Sequence, residues 1–205
     1  MKLVAIVNYR MGNLDSVARA VEECGGSAFL ANTSEDLQKA AYIILPGVGS
    51  FAIAMRNIRA YGFEAVLNEH VVQKGVPFLG ICLGMQLMAD KGWEGAETQG
   101  LGWVEGEVKR LEPVGVADRI PHIGWNEVSL IRNSPLFKGI PSDKDFYFVH
   151  SYHLVCKNLN DVFARTPYCR GFVSGVNKNN IYGVQFHPEK SQKLGFQVIK
   201  NFLAL

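Results

Sequence analysis

The stretch Val76-Pro77-Phe78-Leu79-Gly80-Ile81-Cys82-Leu83-Gly84-Met85-Gln86-Leu87-Met88 runs apolar up to a cysteine bracketed by two glycines, and a helix-forming run follows at once. Gly80-Ile81-Cys82-Leu83-Gly84 has the spacing of a nucleophile elbow, a tight strand-to-helix turn that lifts one reactive side chain above a sheet. Few folds accommodate that turn. It needs a buried strand before it, a helix after it, and glycines where a β-carbon would collide. A cysteine so placed faces the unpaired N–H groups of a helix start, which favour thiolate over thiol. Taken alone, the pattern also fits a buried cysteine between two packing glycines.

The preceding chain supplies a sheet for the elbow. Leu3 to Asn8 and Tyr42 to Leu45 are continuous apolar runs of the kind buried on both faces of a parallel sheet, and Ser27 to Ala31 reads as a further short strand. Between them Leu14, Val17, Ala18, Val21 and Cys24 recur at helical spacing up to Gly25-Gly26. Ser34 is expected to cap a small helix. A helical pattern covers 51–73, interrupted at Gly62. The alternation of strand and helix predicts a doubly wound parallel sheet. Beyond Lys91 strands are expected over 103–111, 119–131, 145–155, 162–168, 169–176 and 181–186, with a turn at Asn177-Lys178-Asn179-Asn180 and a helix carrying Phe196, Ile199, Phe202 and Leu203 at the end. The expected fold class is α/β, three layers, flavodoxin-like, its parallel core sheet extended by antiparallel strands. Its active crevice lies at the carboxyl ends of the parallel strands.

Composition excludes more than it selects. At 205 residues, one domain over 1–205 is expected. A formal charge of +2 gives no pull toward nucleic acid or an anionic membrane. No apolar run approaches membrane-spanning length. Met1 to Val7 reads as a first strand rather than a signal peptide. Cys24, Cys82, Cys156 and Cys169 form no C-x-x-C pair, so no metal, no cofactor and no disulfide framework is expected, and free thiols fit a cytoplasmic location.

A cysteine nucleophile needs a base, and the base needs an orienting group. His187 closes the strand Tyr182-Gly183-Val184-Gln185-Phe186 and opens His187-Pro188-Glu189. Residues two apart on extended chain project to one side, so Glu189 can stand behind the His187 imidazole, with Pro188 stiffening the backbone. His-Pro-Glu alone also fits a strand-end turn. The oxyanion of an acyl transfer needs N–H donors: Leu83 follows the nucleophile, and the Val48-Gly49 part of Pro46-Gly47-Val48-Gly49 reaches the same sheet edge. Neither G-x-x-x-x-G-K-[ST] nor G-x-G-x-x-G is present, which disfavours a phosphate loop. Gln86, one turn beyond Cys82, can present its amide to a polar substrate, and His150-Ser151-Tyr152-His153 can put donors near the crevice.

Together, Pro46-Gly47-Val48-Gly49, Gly80-Ile81-Cys82-Leu83-Gly84-Met85-Gln86, Ser151-Tyr152-His153 and His187-Pro188-Glu189 resemble the class I, triad-type glutamine amidotransferases, in order and over nearly the whole chain. Pro121-His122-Ile123-Gly124-Trp125-Asn126 and His187-Pro188-Glu189-Lys190-Ser191 are similar to the branch formed by the glutaminase subunits of imidazole glycerol phosphate synthase, in histidine biosynthesis. The Tyr-Gly-x-Gly-Asn turn usual in that branch stands here as Tyr9-Arg10-Met11-Gly12-Asn13, with Arg10 replacing a glycine. The resemblance implies Cys82, His187 and Glu189 as catalytic residues and Val48, Gly49 and Leu83 as the oxyanion hole. It implies Gly47, Gln86, Ser151 and Tyr152 as holding L-glutamine, and Asn13, Trp125, Tyr147 and Lys190 as facing a (β/α)8 cyclase partner in a heterodimer. Ammonia would pass to that partner directly, and the glutaminase would be slow alone. Rival expectations are a paralogous glutaminase feeding a barrel partner in surface-sugar modification, a thiol peptidase or deglycase-like hydrolase on the same sheet, and a non-catalytic binding module.

Overall fold

Which face each strand residue takes sets the layering. The computed structural model describes residues 2–116 and 118–205. Its first half alternates β1 (Leu3–Val7), α1 (Leu14–Glu23), β2 (Ser27–Ala31), β3 (Tyr42–Leu45), α2 (Phe51–Ala60), α3 (Phe63–Leu67) and β4 (Phe78–Ile81). Ala5, Val7, Ile43 and Leu45 pack toward α2 and α3, while Val4, Ile6 and Ile44 pack toward α1. A strand with both faces covered reads as an unbroken apolar run, which is why these strands were legible.

After the elbow come α4 (Leu83–Gln86), β5 (Ala89–Gly92), β6 (Thr98–Gln99), β7 (Val104–Arg110), β8 (His122–Leu130), β9 (Lys144–His150) and β10 (Tyr152–Cys156). β11 (Val162–Thr166), β12 (Phe172–Lys178), β13 (Ile181–Val184) and α5 (Gln192–Leu203) complete the chain. Nine strands form one sheet in the order β2-β1-β3-β4-β13-β12-β11-β8-β9. The first five are parallel to their neighbours and the remainder antiparallel. α5 buries Val198, Ile199 and Phe202 beside α1, about 2 kcal/mol for each side chain taken from water. Phe137, Phe146, Phe163 and Phe186 continue that face beneath the antiparallel strands.

Three expectations need correction. The helix after the nucleophile is a single turn, because the Leu87 and Met88 carbonyls accept from Leu101, Trp103 and Val104 rather than from a continuing helix. The chain instead enters a second sheet, β10-β7-β5-β6, which packs on the α2–α3 side. The expected strand 145–155 is two strands: β9 ends at His150, and past Ser151 the chain joins β7 of the smaller sheet. The region 51–73 is helical and interrupted at Gly62 as expected, as α2, α3 and a π-helical turn Asn68–Gln73, with Gly62 at φ +71° between the first two. Thr33, not Ser34, is the N-cap of the 3₁₀ turn Ser34–Lys39, in a capping box with Asp36.

Backbone segments pack closely at the elbow. Cys82 has φ +54° and ψ −107°, a conformation strained for any residue with a side chain. A β-carbon on Gly80 would approach the Gly84 backbone to 2.7 Å, and one on Gly84 would overlap the Leu45 carbonyl oxygen. Both obstacles are backbone, so neither can swing aside. Gly84→Ala is expected to lose about 3 kcal/mol of stability, read as a lowered denaturant midpoint at unchanged m-value.

Candidate active site

β4 and β13 run side by side and bring Cys82, His187 and Glu189, the expected triad, to adjacent strand ends. Cys82 follows β4 directly. His187 lies three residues past β13, where its N–H donates to the Tyr147 carbonyl on β9 at 2.9 Å. The Ser191 hydroxyl donates to the His187 carbonyl at 2.7 Å and accepts from the Tyr147 N–H at 3.0 Å, which fixes the His-Pro-Glu turn against β9. His187 Nδ1 and Glu189 Oε1 are 2.8 Å apart, with both side chains almost fully buried. His187 Nε2 has no hydrogen-bond partner among the described residues. The Cys82 sulfur acts on this imidazole through its charge and through side-chain hydrogen bonding. Burial alone would lower the His187 pKa. The Cys82 thiolate and then the Glu189 carboxylate outweigh it and raise the imidazole from 6.5 to about 10. The base therefore carries a proton through the neutral range.

In front of Cys82 opens a cavity of about 320 Å³, lined by Val48, Gly49, Leu83, Gln86, Ser151 and Tyr152 among others. The expected oxyanion donors and glutamine-holding residues thus surround the sulfur, with two corrections. Gly47 does not line the cavity: a β-carbon there would overlap the Tyr9 hydroxyl, which donates to the Pro46 carbonyl at 2.8 Å. The Leu83 N–H is already engaged, donating to the Gly47 carbonyl at 3.3 Å. In this conformation the Leu83 N–H is thus not free to meet an oxyanion. Gln86 also differs from expectation, since its amide nitrogen donates to the Tyr152 carbonyl at 2.8 Å and to Gln185 Oε1 at 3.0 Å. Its carbonyl oxygen is what remains for a ligand.

Trp125 and Tyr147 form an edge-to-face pair at 6.0 Å, with the Lys190 ammonium 5.8 Å from the Tyr147 ring, on a face whose Trp125 is 47% exposed. Asn13 is exposed and caps α1, accepting from the Ser16 N–H at 3.4 Å. Its turn packs on the oxyanion loop: a β-carbon on Gly12 would lie 3.4 Å from Gly47 Cα, and one on Gly49 3.0 Å from the Met11 methyl. Arg10 takes φ +68°, a backbone setting that suits glycine, and its guanidinium stands 5.9 Å from the Tyr61 ring.

Sequence reasoning missed Glu94 and Gln185. Glu94 lines the cavity, where no other lining residue is acidic, and accepts from the Phe51 N–H at 2.7 Å. Nothing in the irregular stretch around it marks it out. Gln185 is fully buried and lies two residues before His187, so the spacing that paired His187 with Glu189 could have found it.

Three further histidines are held neutral. His150 Nδ1 faces the Tyr152 carbonyl at 2.9 Å, its Nε2 meets His122 Nδ1 at 3.1 Å, and Asn126 completes the row at 3.3 Å from His122 Nε2. Burial lowers His122 to about 4, His150 to about 3 and His153 to about 4. Their folded pKa values lie below the unfolded value near 6.5. The unfolded chain therefore takes up protons that the folded chain refuses. Stability present above pH 6.5 falls as pH drops toward 4, and unfolding in guanidinium at pH 7.5 and 5.0 should give a clearly lower midpoint at the acid value. His187, with its raised pKa, contributes with the opposite sign: its share is complete below 6.5 and fades as pH climbs toward 10.

The glutamine amidotransferase class-I family model matches residues 5–205. The chain is 46% identical over 203 residues to imidazole glycerol phosphate synthase subunit HisH 1 of Campylobacter jejuni strain RM1221, covering 99% of this chain and all of that one. It is 45% identical over 202 residues to subunit HisH of Moorella thermoacetica, covering 98% of this chain and 94% of that one. Among solved structures, PurLQS from Thermotoga maritima shares the fold at TM-score 0.74 and 19% identity, covering 99% of this chain and 98% of that one. Among the described residues no helix is long and apolar enough to cross a membrane, and no cluster of three metal-ligating side chains occurs.

Proposed function

We propose how this chain works from the premise that it belongs to the class I glutamine amidotransferase family. It is an enzyme of that family, the glutaminase subunit of imidazole glycerol phosphate synthase, by similarity to relatives matched over nearly their whole length. The roles below are our reading of its residues. Cys82 adds to the side-chain carbonyl carbon of glutamine. The tetrahedral adduct collapses as the C–N bond breaks, and His187 gives its proton to the departing ammonia. Neutral His187 then takes a proton from water, which attacks the glutamyl thioester. Glutamate leaves and the thiolate returns. Glu189 holds the imidazole and balances its charge. Leu83 and the Val48-Gly49 segment supply the oxyanion donors once the loop rearranges. The Gln86 carbonyl oxygen and Glu94 suit the ammonium end of an amino-acid substrate, and Ser151 and Tyr152 line the same cavity. Residues 1–205 act as one domain.

The observation that carries this reading is the buried 2.8 Å His187–Glu189 pair beside a strained cysteine at the mouth of a cavity. Ammonia freed into water is protonated and loses its nucleophilicity, so it must cross directly to an acceptor site on a second protein. That partner is a (β/α)8 cyclase, bound as a heterodimer on the face bearing Trp125, Tyr147, Lys190 and Asn13. Glutamine labelled with ¹⁵N at the side-chain amide tests the assignment. With the cyclase and its ribotide substrate, label should enter the imidazole product even when unlabelled ammonium is present outside. Full dilution of the label by that ammonium would refute direct transfer.

A further inference from the structure

Cys82 has a second polar neighbour that the triad does not use. Gln185 Nε2 lies 3.6 Å from the Cys82 sulfur. The direction of that contact follows from the atoms behind it. The Tyr152 backbone carbonyl can only accept, so the Gln86 amide atom 2.8 Å from it is nitrogen. The same nitrogen lies 3.0 Å from Gln185, so the Gln185 atom facing it is oxygen. The NH₂ of Gln185 is thereby turned toward the sulfur. Gln185 is wholly buried, and its own backbone N–H is bound to the Ser174 carbonyl at 3.0 Å, so the side chain has little freedom to turn elsewhere.

We infer that Gln185 is a further catalytic residue: its amide donates to the Cys82 sulfur, favouring the attacking thiolate and stabilising it again as the leaving group of the thioester, with its direction set by Gln86 and the Tyr152 carbonyl. An N–H donor to an anion is stronger than to its neutral form, so the contact favours ionised sulfur. The thiol's alternative contact, to the Val149 carbonyl at 3.8 Å, favours the protonated form and is the longer of the two. Because Gln86 also lines the glutamine cavity, a ligand that moves Gln86 changes the donor felt by the nucleophile.

This inference rests on Cys82 being the nucleophile, and the test separates the two. The titratable groups around Cys82 are His187 with Glu189 behind it, Tyr9 under the oxyanion loop, His150 on the cavity wall and Glu94 at its edge. All are kept in the variants Gln185→Met and Gln185→Glu. The iodoacetamide alkylation rate of Cys82 is followed against pH by peptide mass spectrometry in the native protein and both variants. In Gln185→Met the profile should be displaced to higher pH, with the rate at a given pH on its rising limb lower by about tenfold. Gln185→Glu, nearly isosteric but with its donor replaced by an acceptor, should fall at least as far. Folded variants whose profile coincides with the native one would overturn the inference. Were native Cys82 no more reactive than Cys24, Cys156 and Cys169, the nucleophile assignment itself would fail. If neither variant folds, the side-chain amide resonances of Gln185 in ¹⁵N-labelled native protein decide. They should titrate with the thiol and shift on Cys82→Ala, and resonances unmoved by both would overturn the inference.

Discussion

Alanine at position 82 is expected to reduce ammonia release from glutamine by about 10⁴-fold or more, with partner binding intact. No other cysteine can substitute. Cys156 is buried away from the cavity, and burial pushes its thiol up to about 12. Serine should be nearly as inactive, because its hydroxyl ionises far less readily than a thiol. The strained backbone gives a second readout. At φ +54° any β-carbon is unfavourable, so Cys82→Gly should be more stable than Cys82→Ala by about 1 kcal/mol while equally inactive. A position where glycine stabilises and the native residue is required for turnover is one where strain serves chemistry. Ammonia release from Cys82→Ala at the native rate would remove the basis of the mechanism.

The isolated chain is expected to turn glutamine over slowly, and the loaded partner to accelerate it by about 10²- to 10³-fold, the range lost when one oxyanion donor is removed. The reason is local. The Leu83 N–H, the donor nearest the nucleophile, is bound to the Gly47 carbonyl at 3.3 Å. Freeing it requires the Gly47 peptide to turn, and that loop is braced by the Tyr9 hydroxyl on Pro46 and by the Met11-Gly12 turn. The same turn ends at Asn13, which belongs to the proposed docking face. A partner that pulls on Asn13 therefore pulls on the oxyanion loop. Steady-state glutaminase rates with and without the cyclase and its substrate check this. Equal rates would contradict it.

How much of this was legible depends on whether local chemistry or a distant partner decided each element. β1, β3 and β4 were readable because burial on both faces leaves an unbroken apolar run. The elbow was readable because only glycine fits at 80 and 84. The His187–Glu189 pair was legible from the His-Pro-Glu motif, although the two meet across a 3₁₀ turn, Pro188–Lys190, and not along the extended chain that the sequence suggested. What stayed hidden was set at long range. Residues 83–88 form a helix-favouring run, yet the helix stops after one turn because residues 101–104 occupy its carbonyls. The break at Ser151 is invisible in a continuous alternating run, since only the presence of β7 directs the chain to the second sheet. The engagement of the Leu83 N–H is likewise a fact of loop conformation, which composition cannot encode.

The most direct measurement is to expose the native complex to a glutamine analogue bearing an electrophilic carbon at the side-chain carbonyl position and to map the adduct by peptide mass spectrometry. A single adduct on Cys82, formed in step with loss of ammonia release and abolished by His187→Ala, is the expected result. An adduct on another residue, or full loss of activity with Cys82 unmodified, would contradict the account.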